Sequence, residues 1–146
     1  MNDDVLKLEN QICFPLYAAS RLITKHYQPL LEELEVTYPQ YLVLLLLWEK
    51  DRQKVTELGE CLLLESSTLT PLLKRLEQKG FIHRARSQKD ERQVIISLTD
   101  SGKLAKQAAL PIPEKLLQSV QQGHMKPEDL TMLKSILDTF IRLNRG

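Results

Sequence analysis

Two short Leu-periodic segments in close succession, then two β-branched runs around a charged turn, predict a mainly α fold with a small β-hairpin wing. That order is the winged helix-turn-helix. The charge distribution points the same way. The chain of 146 residues carries a net charge of only +1. Between Ser66 and Gln93, however, the charge sums to +4, which leaves −3 on the rest. A basic module on a mildly acidic body is the electrostatic footprint of a DNA reader.

Each element follows from the order of the residues. From Val5 to Leu34 apolar side chains recur at three- and four-residue spacing (Leu16, Ala19, Ile23, Tyr27, Leu30, Leu31, Leu34), which predicts a long amphipathic helix. Pro15 suits its first turn, so residues 5–14 read as a separate turn or a kinked lead-in, and Pro29 marks a second candidate break. Thr37-Tyr38-Pro39 opens the next helix, with Thr37 or Tyr38 near its cap, and the Leu-rich run carries it to Glu49. The polar stretch Lys50–Lys54 reads as a connector. Thr56 is placed to cap a short helix over 57–63, and Ser66 or Ser67 to cap the helix bearing Leu69, Leu72, Leu73 and Leu76. Gly80 stops that helix. Residues 81–86 and 93–98 form the hairpin around Ser87-Gln88-Lys89-Asp90-Glu91. Thr99 caps a helix running towards Gln121, interrupted by Pro111 and Pro113, and a last helix spans 127–143.

The outer helices carry more apolar face than a small domain covers, which predicts a homodimer held through the N- and C-terminal helices. The expected organisation is a helical dimerisation region, 1–36 and 100–146, intertwined with a DNA-binding region, 37–99.

Composition excludes several classes. The apolar run from Tyr41 to Trp48 is far shorter than the roughly 20 residues that span a bilayer, so it reads as a buried helix. The acidic start, Asn2-Asp3-Asp4, lacks a secretory layout, which predicts a cytoplasmic protein. Cys13 and Cys61 make neither a disulfide framework nor a zinc site. His26, His83 and His124 show no ligand spacing, and there is no phosphate loop or nucleophile elbow, so no metal, cofactor or enzyme activity is predicted.

The DNA-reading residues come from the fold. A helix-turn-helix places the start of its second helix in the major groove, here Ser66, Ser67, Thr68 and Thr70, whose hydroxyls reach base edges or phosphates. Lys74 and Arg75 follow, suited to phosphates or guanine edges. Arg86, Lys89 and Arg92 sit at or beside the wing tip, within reach of the minor groove or backbone, and Asp90 is placed to orient Arg92. Each piece alone has a plainer reading as a helix cap or a solvated turn. Their combined order favours double-stranded DNA, and a two-fold protein predicts a pseudo-palindromic operator.

The run Leu69-Thr70-Pro71-Leu72-Leu73-Lys74-Arg75-Leu76-Glu77, then Gly80, Lys89-Asp90-Glu91-Arg92 and Ile96-Ser97-Leu98-Thr99, closely resembles the MarR family of dimeric winged-helix repressors. Three N-terminal runs, Leu8 to Phe14 with Leu16-Tyr17, Tyr27 to Leu31, and Thr37 to Leu42, resemble its organic-hydroperoxide sensors, the OhrR type. By residue chemistry alone Cys13 reads as a small buried hydrophobe. The resemblance implies instead that Cys13 is the reactive thiol, that Tyr27 and Tyr38 reach it from the other subunit, and that Tyr17 lies near the site. Residue chemistry fits that role: phenolic hydroxyls that donate to sulfur favour the thiolate, and the apolar neighbours Ile12, Phe14 and Leu16 suit an organic hydroperoxide. Cys61 reads as core packing. With no cysteine in the C-terminal third, the chain resembles the one-cysteine type, resolved by a small cellular thiol. Pro15 departs from relatives, which often carry a helix-compatible residue there. Two rival readings use the same residues: release by a small phenolic or aromatic ligand in the dimer cleft, and a thiol peroxidase, for which no resolving cysteine is evident.

Overall fold

The computed structural model describes residues 2–121 and 124–146. Two 3-10 turns, Asp3–Leu6 and Leu8–Asn10, lead into α1 (Cys13–Leu31). The lead-in is therefore separate from the helix, as Pro15 suggests. Pro15 falls in the third helical position, where no intrahelical N–H partner is required. Pro29 does not break α1 but lies inside it. So close to the C-terminus it removes a single backbone bond, and the chain tightens into a 3-10 turn at Glu32–Leu34 before Glu35 turns it with φ 54°.

Thr37 caps α2 (Tyr38–Glu49) in a reciprocal capping box with Gln40: Gln40 N–H donates to Thr37 Oγ1, and Thr37 N–H donates to Gln40 Oε1. This helix is apolar nearly all round because other elements surround it. Tyr41, Val43, Leu44 and Leu47 are buried, and the core gathers about them.

The connector after α2 is more structured than its polar sequence suggests. Gln53–Lys54 form β1, and the buried Gln53 amide donates to the Leu46 and Lys50 carbonyls at the end of α2. α3 (Val55–Leu62) begins two residues earlier than expected, so Thr56 sits within its first turn rather than at its cap. The Glu57 carboxylate takes the Lys54 N–H instead. α4 (Ser66–Gln78) likewise starts at Ser66, with Glu65 in the cap position. It ends in a Schellman arrangement: Gly80, at φ 83°, donates to Glu77 O and Phe81 N–H to Leu76 O. β2 (Ile82–Arg86) and β3 (Val94–Leu98) form the hairpin, in register Ile82 with Leu98 and Arg86 with Val94. β1 completes a three-stranded antiparallel sheet in the order β1-β3-β2.

Thr99 caps α5 (Asp100–Ala109), accepting from Gly102 N–H at 3.0 Å. The chain breaks at Leu110-Pro111 and resumes as α6 (Ile112–Gln121), which packs on α1. α7 (Pro127–Asn144) buries no residue. Its Leu133, Ile136, Phe140 and Ile141 stay exposed in the single chain, as do Phe14, Leu16 and Leu22 of α1. Within the chain, the α7 end is tied to the head where Arg145 donates to the Glu60 carbonyl of α3 at 2.9 Å.

Candidate functional site

Two regions hold the chemistry. The first is built by α3, α4 and the hairpin. Buried Leu69, Leu72, Leu73 and Leu76 fix the inner face of α4. That leaves Ser66, Ser67, Thr68, Lys74 and Arg75 on its exposed face, with Thr70 half-buried beside them. All six lie on one helix, as the sequence implies. At the wing, Asp90 Oδ1 accepts from both the backbone N–H (3.1 Å) and the Nε (3.2 Å) of Arg92. The acid fixes the base of the arginine side chain while 91% of it remains exposed. Arg86 donates to the Glu91 carbonyl at 2.8 Å, bracing the turn, and the Lys89 N–H donates to Ser87 Oγ.

Sequence reasoning missed one link. Glu77 of α4 takes both the backbone N–H (3.0 Å) and the guanidinium Nε (3.3 Å) of Arg84 on β2. This clamp ties the wing to the helix that the wing accompanies. Its two residues were legible as charges but not as partners, since seven positions and a turn separate them.

The second region is aromatic. The rings of Tyr27 of α1 and Tyr38 of α2 pack at a tilt of 33° with centroids 4.5 Å apart, and Tyr41 lies 5.7 Å from Tyr27. Tyr41 was not singled out, although its place three residues after Tyr38 puts it on the same helical face. Burial, followed by the neighbouring Tyr38 and Tyr41, pushes the Tyr27 phenol up to about 12 from 10.0. Burial also raises Tyr38, and burial with Tyr38 raises Tyr41. All three therefore remain O–H donors throughout neutral pH.

Cys13 is the first residue of α1 and is exposed. Tyr17 is exposed one turn on, with the Arg21 guanidinium 5.5 Å from its ring centroid. Tyr27 lies fourteen positions along the same helix, about 21 Å at roughly 1.5 Å per residue. Within one chain the structure thus brings Tyr27 to Tyr38 but brings neither to Cys13.

Cys61 corrects an expectation. It is exposed, not core. α3 turns Leu58 and Leu62 inward, and Cys61 falls just outside that narrow stripe. Among the described residues no group of three His, Cys, Asp or Glu side chains is placed to hold a metal ion.

Comparison with known proteins settles the family. The family model for the transcriptional regulator SarA/Rot matches residues 25–109. The chain is 55% identical over 138 residues to the organic hydroperoxide resistance transcriptional regulator of Bacillus subtilis strain 168, covering 94% of this chain and 92% of that one. The chain belongs to the organic hydroperoxide resistance regulators of the MarR/SarA type. The solved structure of reduced AbfR bound to DNA is similar, with TM-score 0.79, 40% identity, and coverage of 98% of this chain and 99% of that one. AbfR, also solved from Staphylococcus epidermidis, has further structures overoxidised on DNA (TM-score 0.76, 39% identity) and with a disulfide formed (TM-score 0.65, 38% identity). The organic hydroperoxide resistance regulators are transcription factors, not enzymes, so the peroxidase reading falls. The winged-helix architecture holds as read from the sequence.

Proposed function

We propose that this regulator is a homodimeric repressor that binds a pseudo-palindromic operator and releases it when an organic hydroperoxide oxidises Cys13. The observation that carries this reading is the layout of α1. Its thiol stands at one end, and Tyr27 stands at the other, paired with Tyr38 of α2. A two-fold axis makes every contact reciprocal, so two copies with their α1 helices antiparallel would bring each Cys13 to the other's Tyr27 and Tyr38. The exposed apolar faces of α1 and α7 support such pairing. In this arrangement 1–36 and 100–146 form the dimer frame and 37–99 the DNA-binding heads.

The chemistry follows. Phenolic O–H donation favours the thiolate form of the sulfur. The thiolate attacks the terminal peroxide oxygen, an S–O bond forms and the O–O bond breaks. The alkoxide leaves and takes a proton to become an alcohol, so sulfur is oxidised by two electrons and the peroxide reduced. A small cellular thiol then condenses with the sulfenic acid, releasing water and forming a mixed disulfide. Sulfur that no longer accepts from the tyrosines loses its hold on the partner, and the heads lose their spacing. A DNA target supports the cytoplasm as its compartment. Among the described residues no helix is long and apolar enough to cross a membrane.

The test is a band shift on the promoter of the protein's own gene, with mass spectrometry of Cys13 on the same sample. Wild type should lose DNA as the Cys13 adduct appears, and Cys13→Ser should keep it. Release that persists in Cys13→Ser removes Cys13 as the sensor. A second reading, release by a phenolic ligand, draws on a cavity of about 610 Å3 lined by Thr24, Gln28, Leu31 and Tyr38 among others. Saturable binding of a phenol to Cys13→Ser with loss of DNA affinity would favour it.

A further inference from the structure

A head that sets a helix in the major groove and a wing in the adjacent minor groove must straddle the sugar-phosphate strand that separates them. In this protein the space between those two elements is a cleft of about 230 Å3. Its polar lining comes from Lys54, Thr56, Ser66, Thr70, Arg84, Arg92 and Gln93, and none of the described residues that line it is a carboxylate.

The three cations differ in what already holds them. Arg84 is paired with Glu77 at 3.3 Å and Arg92 with Asp90 at 3.2 Å. Lys54 has no carboxylate within ion-pair distance among the described residues. Its backbone, by contrast, is fixed on two sides. It pairs with Ile95 across β1 and β3, and its N–H donates to Glu57 at 3.1 Å. The two-residue strand therefore fixes the backbone from which the Lys54 ammonium reaches out at the foot of the wing. A cation on an anchored backbone, outside ion-pair distance of any described carboxylate and lining a cleft with the hydroxyls of Thr56, Ser66 and Thr70, is suited to an anion.

We propose that Lys54, with the hydroxyls of Thr56 and Thr70 beside it, forms a phosphodiester site that seats the DNA strand running between the two grooves. The site rests on the DNA-binding reading above and adds to it Lys54 and Thr56, which lie outside the recognition helix and the wing tip. It carries no sequence information. Its role is to set the height and register from which α4 meets the bases.

The experiment measures affinity against salt concentration for the full-length protein on two duplexes, its own promoter and a scrambled sequence of the same composition. Lys54→Gln and Lys54→Met should each weaken both duplexes by the same factor. Each should also flatten the slope of log affinity against log salt by about 1 per head, hence about 2 for a two-headed complex. Lys54→Arg should restore the slope. Neutral variants that keep the wild-type affinity and slope would overturn the site, as would a loss confined to the promoter duplex, since that is base readout. Wild type that binds neither duplex overturns the DNA-binding reading and the phosphate site with it, whereas wild-type binding with an unchanged Lys54→Gln slope overturns the site alone.

Discussion

Tyr27 shows how one side chain's surroundings set its chemistry. A phenol is neutral when protonated, so burial favours the protonated form and raises the pKa. The folded value, about 12, lies above the ordinary 10.0. The contribution to stability is therefore complete below pH 10 and is lost as pH rises from 10 towards 12. Ultraviolet titration of the folded protein should show late tyrosinate absorbance that Tyr27→Phe reduces. The melting temperature should also fall less steeply above pH 10 in that variant than in wild type. An identical alkaline profile in both would mean that Tyr27 is not held protonated by the fold. Residues such as Thr37, Gly80 and Thr99 were readable in advance because capping and left-handed turns depend on a few local atoms. Cys61 was misread because a helix of eight residues has so narrow an apolar stripe that its edge positions are not fixed by spacing.

At the scale of elements, the least legible piece was β1. Two residues, Gln53 and Lys54, carry no period, and their pairing with β3 is decided forty residues later. What anchors them is a set of side chain to backbone bonds around the end of α2. The Asp51 carboxylate accepts the Leu98 N–H at 2.8 Å, and the Trp48 indole donates to the Gly102 carbonyl at 2.8 Å. The second bond ties α5 to α2, and the same stretch of α5 presses on the turn between α4 and β2. A Cβ on Gly102 would lie 2.1 Å from the Phe81 carbonyl oxygen and 3.1 Å from a Leu98 methyl. Gly102→Ala should therefore destabilise the fold by about 3 kcal/mol, through displaced backbone rather than lost contact. Urea unfolding followed by circular dichroism measures it. A midpoint shift of less than the equivalent of about 0.5 kcal/mol would mean that α5 shifts freely at that junction.

For the whole molecule, the fold of the head was legible and the sensor was only partly so. Hydrophobic periodicity and turn residues report what one chain does with itself. The proposed meeting of Cys13 with Tyr27 and Tyr38 is a relation between chains, and neither spacing nor burial in a single copy displays it. The dimer reading has its own consequence. α7 leaves Ile136 and Phe140 at 60% and 55% exposure, so a charge there has nowhere to go if a partner covers them. Ile136→Glu and Phe140→Glu should leave secondary structure intact in the single chain. In sedimentation they should run as one copy, and their operator affinity should fall at least tenfold because two linked heads become two separate ones. Sedimentation as a dimer in both variants would place the interface elsewhere.

If Cys13 and the Tyr27–Tyr38 pair work together as proposed, their separation within one copy means that a lone chain holds two halves of a detector and no whole one. On the proposed reading, a newly made copy is indifferent to oxidant until it finds its mate. The cell's response then depends on how much of this protein it keeps, as well as on how much peroxide it meets. Mixed pairs follow the same logic: one copy with a serine in place of Cys13 still lends its tyrosines to a neighbour's live sulfur, so a mixed dimer keeps one working site.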